Sequence, residues 1–317
     1  MRVTTSNRIN KISTNLKNND TMRMLIKNRY IYLMILPVTI HYIVFSYFPM
    51  YGIIIAFKDF KASLGIIRSP WVGFAYFREF FSSYYFWRLI RNNLLLNIYL
   101  LIFAFPAPIV LALLLNEIDN LRFKKIVQTI SYLPHFISIV IVVGFLKDFF
   151  AREGFVNNML SALGMEPQAF FQDPKWFRPL YVASDIWKGV GWGSIIYIST
   201  ISSIDQEMYE AAIIDGATRF QRAMHITLPS ISATIILMLI FRMGNILNVG
   251  FEKVFLMYNP SIYETADVIS TFVYRRGLQG AQYGYAAAVG IFNSVVAFIM
   301  IVISNYVSRK FTEMSIW

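Results

Sequence analysis

No cysteine occurs anywhere in the 317 residues. That one absence removes disulfide frameworks, thiolate zinc sites, iron–sulfur clusters and cysteine nucleophiles from consideration. Charge is scarce too: Asp, Glu, Lys and Arg make up 15% of the chain, where a soluble domain carries roughly a quarter. Histidine is limited to His41, His135 and His225. They are far apart and form no H-x-x-x-H pair, so no ligand spacing supports a metal site. There is no G-x-x-x-x-G-K-[ST]; the nearest glycine cluster, GVGWGS at 189–194, lacks the lysine and lies inside an apolar run. ATP binding by a phosphate loop is therefore not expected of this chain. A G-x-S-x-G nucleophile elbow is also missing, which removes a common hydrolase device.

What is present is apolar. Hydrophobic residues make up 56% of the chain, and the mean hydropathy of +0.51 is that of a membrane protein. About 20 largely apolar residues cross a hydrocarbon core as a helix. Six such runs are separated by polar punctuation, at 30–57, 93–115, 126–149, 180–204, 229–249 and 285–307. Spans without water in the core satisfy their backbones internally, so the expected fold is an all-α bundle. The expected organisation is a basic cytoplasmic tail, 1–29, followed by one transmembrane domain, 30–317. The first run is too long for a signal-peptide core and no small-x-small cleavage site follows it, so it is read as an uncleaved span. Pro106, Pro108 and Pro134 are expected to bend their helices.

The net charge of +11 is concentrated at the start of the chain. Arg2, Arg8, Lys11, Lys17, Arg23, Lys27 and Arg29 precede the first span against one acid, Asp20. A basic tail beside a hydrophobic run reads as a cytoplasmic anchor rather than a nucleic-acid arm. Six spans return the C-terminus, with Arg309 and Lys310, to the same side. The loops at 116–125 and 205–229 then lie inside, and the segments 58–88, 150–179 and 250–284 outside. The aromatic stretch FAYFREFFSSYYFW, 74–87, suits an amphipathic helix at the headgroup level.

One block is out of character with this apolar background. EAAIIDGATRFQRAMHITLP, 210–229, is polar and helix-forming, yet sits between two membrane-length runs. Ser202, Ser203 and Asp205 are capping residues ahead of Glu207, Met208, Tyr209, Glu210, Ala211 and Ala212, most of which favour helix. Gly216 is expected to end that helix. A second short helix, 218–226, then leads to Leu228 and Pro229, where the proline suits a first turn. The alanines leave a thin face that another protein can approach closely. Periodicity alone leaves open an ordinary amphipathic connection.

The spacing E-A-A, then Asp215-Gly216-Ala217, then Ile226-x-Leu228-Pro229 resembles the EAA loop of permease subunits of bacterial ATP-binding-cassette importers. SYLPHFIS (131–138), SDIWKGVGWGSIIY (184–197), GFEKVFLMYNP (250–260) and the final SRKFTEMSIW resemble the branch handling complex oligosaccharides, including alginate and pectin fragments. The resemblance implies a six-helix type I permease fold in the bacterial inner membrane. It assigns ATPase coupling to Glu207, Tyr209, Glu210, Ala211, Ala212, Asp215, Gly216, Ala217, Leu228 and Pro229. It also implies a second related permease, an ATPase dimer holding ATP and Mg, and an extracellular solute-binding protein. No cofactor is then expected in this chain itself, and it would not be an enzyme.

Charged groups inside spans are functional candidates by default. Asp185 and Lys188 stand one turn apart and are placed to pair with each other. Trp187 and Trp192 lie beside them, and Arg242, Asn245 and Asn248 make one face of the fifth span polar. These seven residues are the expected substrate path, and two cations on it would favour an acidic, uronate-containing oligosaccharide. Gly189 and Gly193, and the small residues Ala286, Gly290 and Ser294, are read as helix-packing positions. Two alternatives from other classes stand beside this reading. A polytopic glycan- or lipid-modifying enzyme, with acids such as Asp148, Glu153 or Glu264, predicts activity from the isolated chain. An ion-driven secondary transporter predicts gradient dependence and internal repeats, which the sequence does not display.

Overall fold

A computed structural model describes Met24, residues 27–244 and residues 249–312. Among these residues the fold is all-helical, the sole extended pairing being an isolated bridge between Lys58 and Trp71. Three helices are long and apolar enough to cross a membrane: Arg29–Phe57, Tyr84–Asn116 and Tyr283–Ile303. Two bent pairs raise the number to five. Leu121–Phe136 meets Ile139–Phe149 at 100°, and Arg219–Ser230 meets Ser232–Met243 at 62°.

The run at 126–149 is thus two pieces rather than one straight rod. Pro134 lies in the 3-10 turn Leu133–Phe136, where the α-helical hydrogen-bond ladder ends. Ser138 then starts the next helix by accepting from the Ile141 N–H at 3.3 Å. Near the fifth run, Pro229 sits in the short turn Leu228–Ser230, and the helix proper, Ser232–Gly244, begins beyond the bend. The aromatic stretch at 74–87 also divides. Ser83 accepts from the Tyr85 N–H at 3.2 Å, ending the helix Ala75–Ser82 and opening the one that runs to Asn116. Phe80 on the first piece is buried against Ile269, Phe272 and Tyr285 rather than lying on a surface.

All but the last three residues of the expected fourth run lie in the central helix Pro174–Ile201, 28 residues long and capped by Asp173 on the Lys175 N–H. It is absent from the five hydropathic candidates because Asp185, Lys188 and several Gly, Ser and Trp residues dilute it. Neighbouring helices explain how that is tolerated: Phe177, Tyr181, Ser184, Ser194 and Tyr197 are buried on it. Lipid tails are as apolar as leucine, so close packing and internal hydrogen bonds replace water exclusion as the driving force for such contacts. A Cβ at Gly191 would collide with the Ser131 carbonyl, and one at Gly193 would lie 2.9 Å from Pro108 Cγ. These two glycines make the close approaches. Gly189 has open space beside it, so the expected Gly189–Gly193 pair is only half right.

One end of the bundle is locked by a buried ion cluster. The Asp267 carboxylate, fully buried, accepts from Arg275 at 2.6 and 3.2 Å and from the Thr271 hydroxyl at 3.1 Å, with Arg88 at 3.5 Å. Burial works against the Arg275 charge, but hydrogen bonds and attraction from Asp267 outweigh it and hold its pKa above the usual value. Asn92 donates to the Glu264 and Asp267 carbonyls and accepts from Arg178, tying three segments together.

Candidate functional site

The polar block folds as a capped helix on a loop. Asp205 accepts from the Glu207 N–H at 3.0 Å and starts the helix Gln206–Ile214. At the other end the Ala217 N–H donates to the Ala212 carbonyl at 2.9 Å and the Gly216 N–H to Ile213 at 3.0 Å. That pair of bonds is a Schellman stop, and it requires the left-handed φ of +78° that Gly216 adopts. Thr218 and Gln221 then form a reciprocal capping box that begins Arg219–Arg222 at once. The expected second helix at 218–226 is this single turn followed by a π-type turn, Ala223–Thr227.

Glu207, Glu210, Ala211, Asp215 and Gly216 are exposed; Tyr209, Ala212, Ala217 and Leu228 are half-buried and Pro229 is exposed. Apolar side chains stand out among them, with Ile214 86%, Phe220 74% and Ile213 56% exposed. A short helix that shows both acids and large aliphatics to the outside is built to be covered.

The loop is anchored to the rest of the fold from within. Tyr209 shares a 2.8 Å hydrogen bond with the buried Thr227, joining the helix to the approach of the next span. Arg219 donates to the Glu117 carbonyl at 2.8 Å and to Asp119 at 2.9 Å, and Arg222 lies 3.7 Å from the Glu117 carboxylate. The loop is thereby tied to the turn between Pro106–Asn116 and Leu121–Tyr132. Glu117 and Asp119 were not among the expected site residues. Their signal in the sequence was only two acids in an otherwise basic loop, with nothing to say which cations they meet.

Above this loop, along the central helix, lies a cavity of about 620 Å³, a volume typical of small-ligand sites. Asp185, Gly189 and Trp192 line it from the central helix, Phe105 and Pro108 from the second, and Arg242 from Ser232–Gly244. Arg242 makes no hydrogen bond or ion pair among the described residues. Three of the seven expected path residues therefore meet in one cavity. Trp187 lines a separate apolar recess with Phe145 and Leu146. Asn245 and Asn248 lie outside the described residues.

The expected Asp185–Lys188 pair is not formed. Lys188 turns away and donates to the carbonyls of His135 at 2.6 Å and Ile137 at 2.7 Å, which the 100° bend leaves without helical partners. Asp185 instead accepts from Lys253 at 3.2 Å, and Lys253 also donates to the Tyr181 carbonyl at 2.8 Å and lies over its ring. The separation of 68 residues hid this partner from any local reading. Trp192 is stacked on His135, ring centroids 4.4 Å apart and nearly parallel, so one face is occupied and the side exposed to the cavity is rigidly held. Lys188→Met is expected to destabilise by about 1 kcal/mol, the cost of orphaning partly buried carbonyls. A melting curve of the purified protein measures it, and an unchanged midpoint would deny the clamp.

Residues 85–313 match the family described as the inner membrane component of binding-protein-dependent transport systems. The chain belongs to this family. Protein LplB of Bacillus subtilis (strain 168) is 46% identical over 293 residues, 92% of each chain. The polygalacturonan/rhamnogalacturonan transport system permease protein YteP of the same organism is 43% identical over 294 residues, again 92% of each. Among solved structures, a chain of a bacterial ABC transporter involved in the import of the acidic polysaccharide alginate superposes with a TM-score of 0.86 and 47% identity. It covers 92% of this chain and 99% of that one. A chain from that alginate transporter in complex with an alginate pentasaccharide-bound periplasmic protein matches equally well, at 46% identity.

Proposed function

We infer that this chain is the membrane-spanning permease of an ATP-driven importer for oligosaccharides, and that its substrate is acidic. The observation that carries the reading is that one rigid helix, Pro174–Ile201, lines the cavity and leads directly into the capped docking helix. Closure of a separate ATPase dimer around ATP and Mg moves Gln206–Ile214; Tyr209, Arg219 and Arg222 pass that movement to both neighbouring segments. The cavity then alternates between the two sides of the membrane. A second, related permease completes the path, and an extracellular binding protein supplies the sugar. The basic tail and the docking helix face the cytoplasm, and the six runs form the span set. The chain needs no cofactor of its own.

The charge in the cavity supports an anionic cargo. Lys253 pairs with Asp185, so Arg242 is the lining cation without a partner among the described residues, and guanidinium groups bind carboxylates with two parallel hydrogen bonds. The edge of Trp192 and the ring of Phe105 offer apolar faces for sugar rings. The alginate and polygalacturonan named for the similar proteins are acidic polymers, in line with this. Arg242→Ala is expected to lower uptake of a uronate oligosaccharide by roughly tenfold or more, as a lost charge-assisted hydrogen bond implies. A neutral oligosaccharide should enter at the same rate. Proteoliposome uptake of both sugars measures the difference; equal losses, or none, would refute the acidic assignment.

A further inference from the structure

A second concave site lies near the start of the central helix, at the end away from the docking helix. It has a volume of about 460 Å³ and lies between the 147–152 turn, residues 167–172 and Met257–Asn259. Its walls are braced from behind. Asn157, almost completely buried, donates to the Ala151 and Gln168 carbonyls at 2.9 and 3.0 Å and accepts from the Gln168 N–H at 2.7 Å. Asn259 fixes the opposite wall by donating to the Phe171 carbonyl at 2.7 Å.

Within that braced frame, three polar side chains are left over. Lys147, Arg152 and Gln172 line the site, and none of them has a hydrogen bond or ion pair among the described residues. No acid lines the site, and two cations do. Phe171 and Tyr258 supply aromatic surface. Two free cations, a free planar amide and aromatic rings in a preformed recess are the complement of a carboxylated sugar ring.

We propose that this recess is an outer subsite that binds a uronate residue of the oligosaccharide before it reaches the cavity at Arg242. The proposal rests on the reading of the cargo as acidic. A cation pair at the mouth holds the anionic end while the chain is handed inward, and Arg242 receives it. Both sites favour the same charge, so the oligosaccharide moves between like wells rather than climbing from a neutral one.

The test uses the full importer with its partner subunits in lipid nanodiscs. It is titrated with a trigalacturonate and with the same trisaccharide carboxyl-reduced to its neutral form. Wild type, Lys147→Ala/Arg152→Ala and Arg242→Ala are compared, with unchanged melting temperatures confirming intact folds. The double variant should weaken trigalacturonate binding at one class of site by about tenfold, leave the neutral sugar unaffected, and keep the second class. Arg242→Ala should show the reverse pattern between the two classes. A double variant that binds trigalacturonate like wild type overturns the subsite. So does one that loses affinity for the binding protein whether that protein carries the acidic or the neutral sugar, because the patch then docks protein. Failure of the cavity reading looks different: Arg242→Ala is then silent while the outer arm still responds.

Discussion

Asp267→Ala is expected to destabilise the protein by about 3–5 kcal/mol, the cost of removing one member of a buried ion cluster. Asp267 has no exposed surface, and its two oxygens satisfy Arg275 and Thr271 with Arg88 close by. Without it, the guanidinium groups of Arg275 and Arg88 are left half-buried and unmatched. Each kcal/mol moves the melting temperature by about 2–4 °C in a protein of roughly this size, so the shift is large enough to read in detergent. Adding Arg275→Met to Asp267→Ala should recover part of the loss, because it removes one of the two stranded guanidinium groups. An unchanged melting temperature in the single variant would show that the cluster is not buried as described.

Gly216→Val should uncouple transport without unfolding the bundle. A β-branched residue at φ +78° costs about 1–2 kcal/mol in backbone strain, and the Schellman bonds to Ala212 and Ile213 depend on that conformation. Relief of the strain opens the end of Gln206–Ile214 and shifts Ile213, Ile214 and Asp215, which are exposed there. A coupling energy of about 1–3 kcal/mol corresponds to a 5- to 150-fold change, and a loss in that range is expected in transported sugar per ATP hydrolysed. Gly216→Asn is the matched control, since asparagine tolerates the left-handed region. It should retain most of the coupling. Because a Cβ at position 216 meets no atom within 4 Å, any difference between the two variants reports backbone conformation, not a clash. Equal behaviour of Val and Asn would remove the Schellman stop from the mechanism.

How much of this was legible in the sequence differs from residue to residue. Asp205 and Gly216 could be read directly, because caps and stops are satisfied by backbone groups two to five residues away. The apolar runs could be read for a similar reason: crossing a hydrocarbon layer is a requirement on a contiguous segment. The bend at 137–138 was only hinted at by Pro134. The group that meets its open carbonyls, the Lys188 ammonium, stands 51 residues further on. The aromatic stretch at 74–87 was read as one surface helix, since nothing local says that Phe80 meets Ile269 and Phe272.

The candidate site divides along the same line. Asp185, Trp192 and Arg242 were chosen because charge and aromatics are unusual inside apolar runs, and they line one cavity. Lys188 was chosen on the same ground and has a different partner, because rarity marks a residue as needing neighbours without saying which. Sequence alone determined the class of protein: a cysteine-free, charge-poor helical membrane chain with a capped polar helix before the fifth run. Tertiary structure alone decided the pairings. Lys253 pairs with Asp185, Glu117 and Asp119 receive Arg219 and Arg222, and Arg242 lines the cavity without an ion pair among the described residues. The physical reason is range. A cap or a span is a property of consecutive residues, whereas the sign of the field in a cavity depends on which distant charges packing brings within about 4 Å of one another.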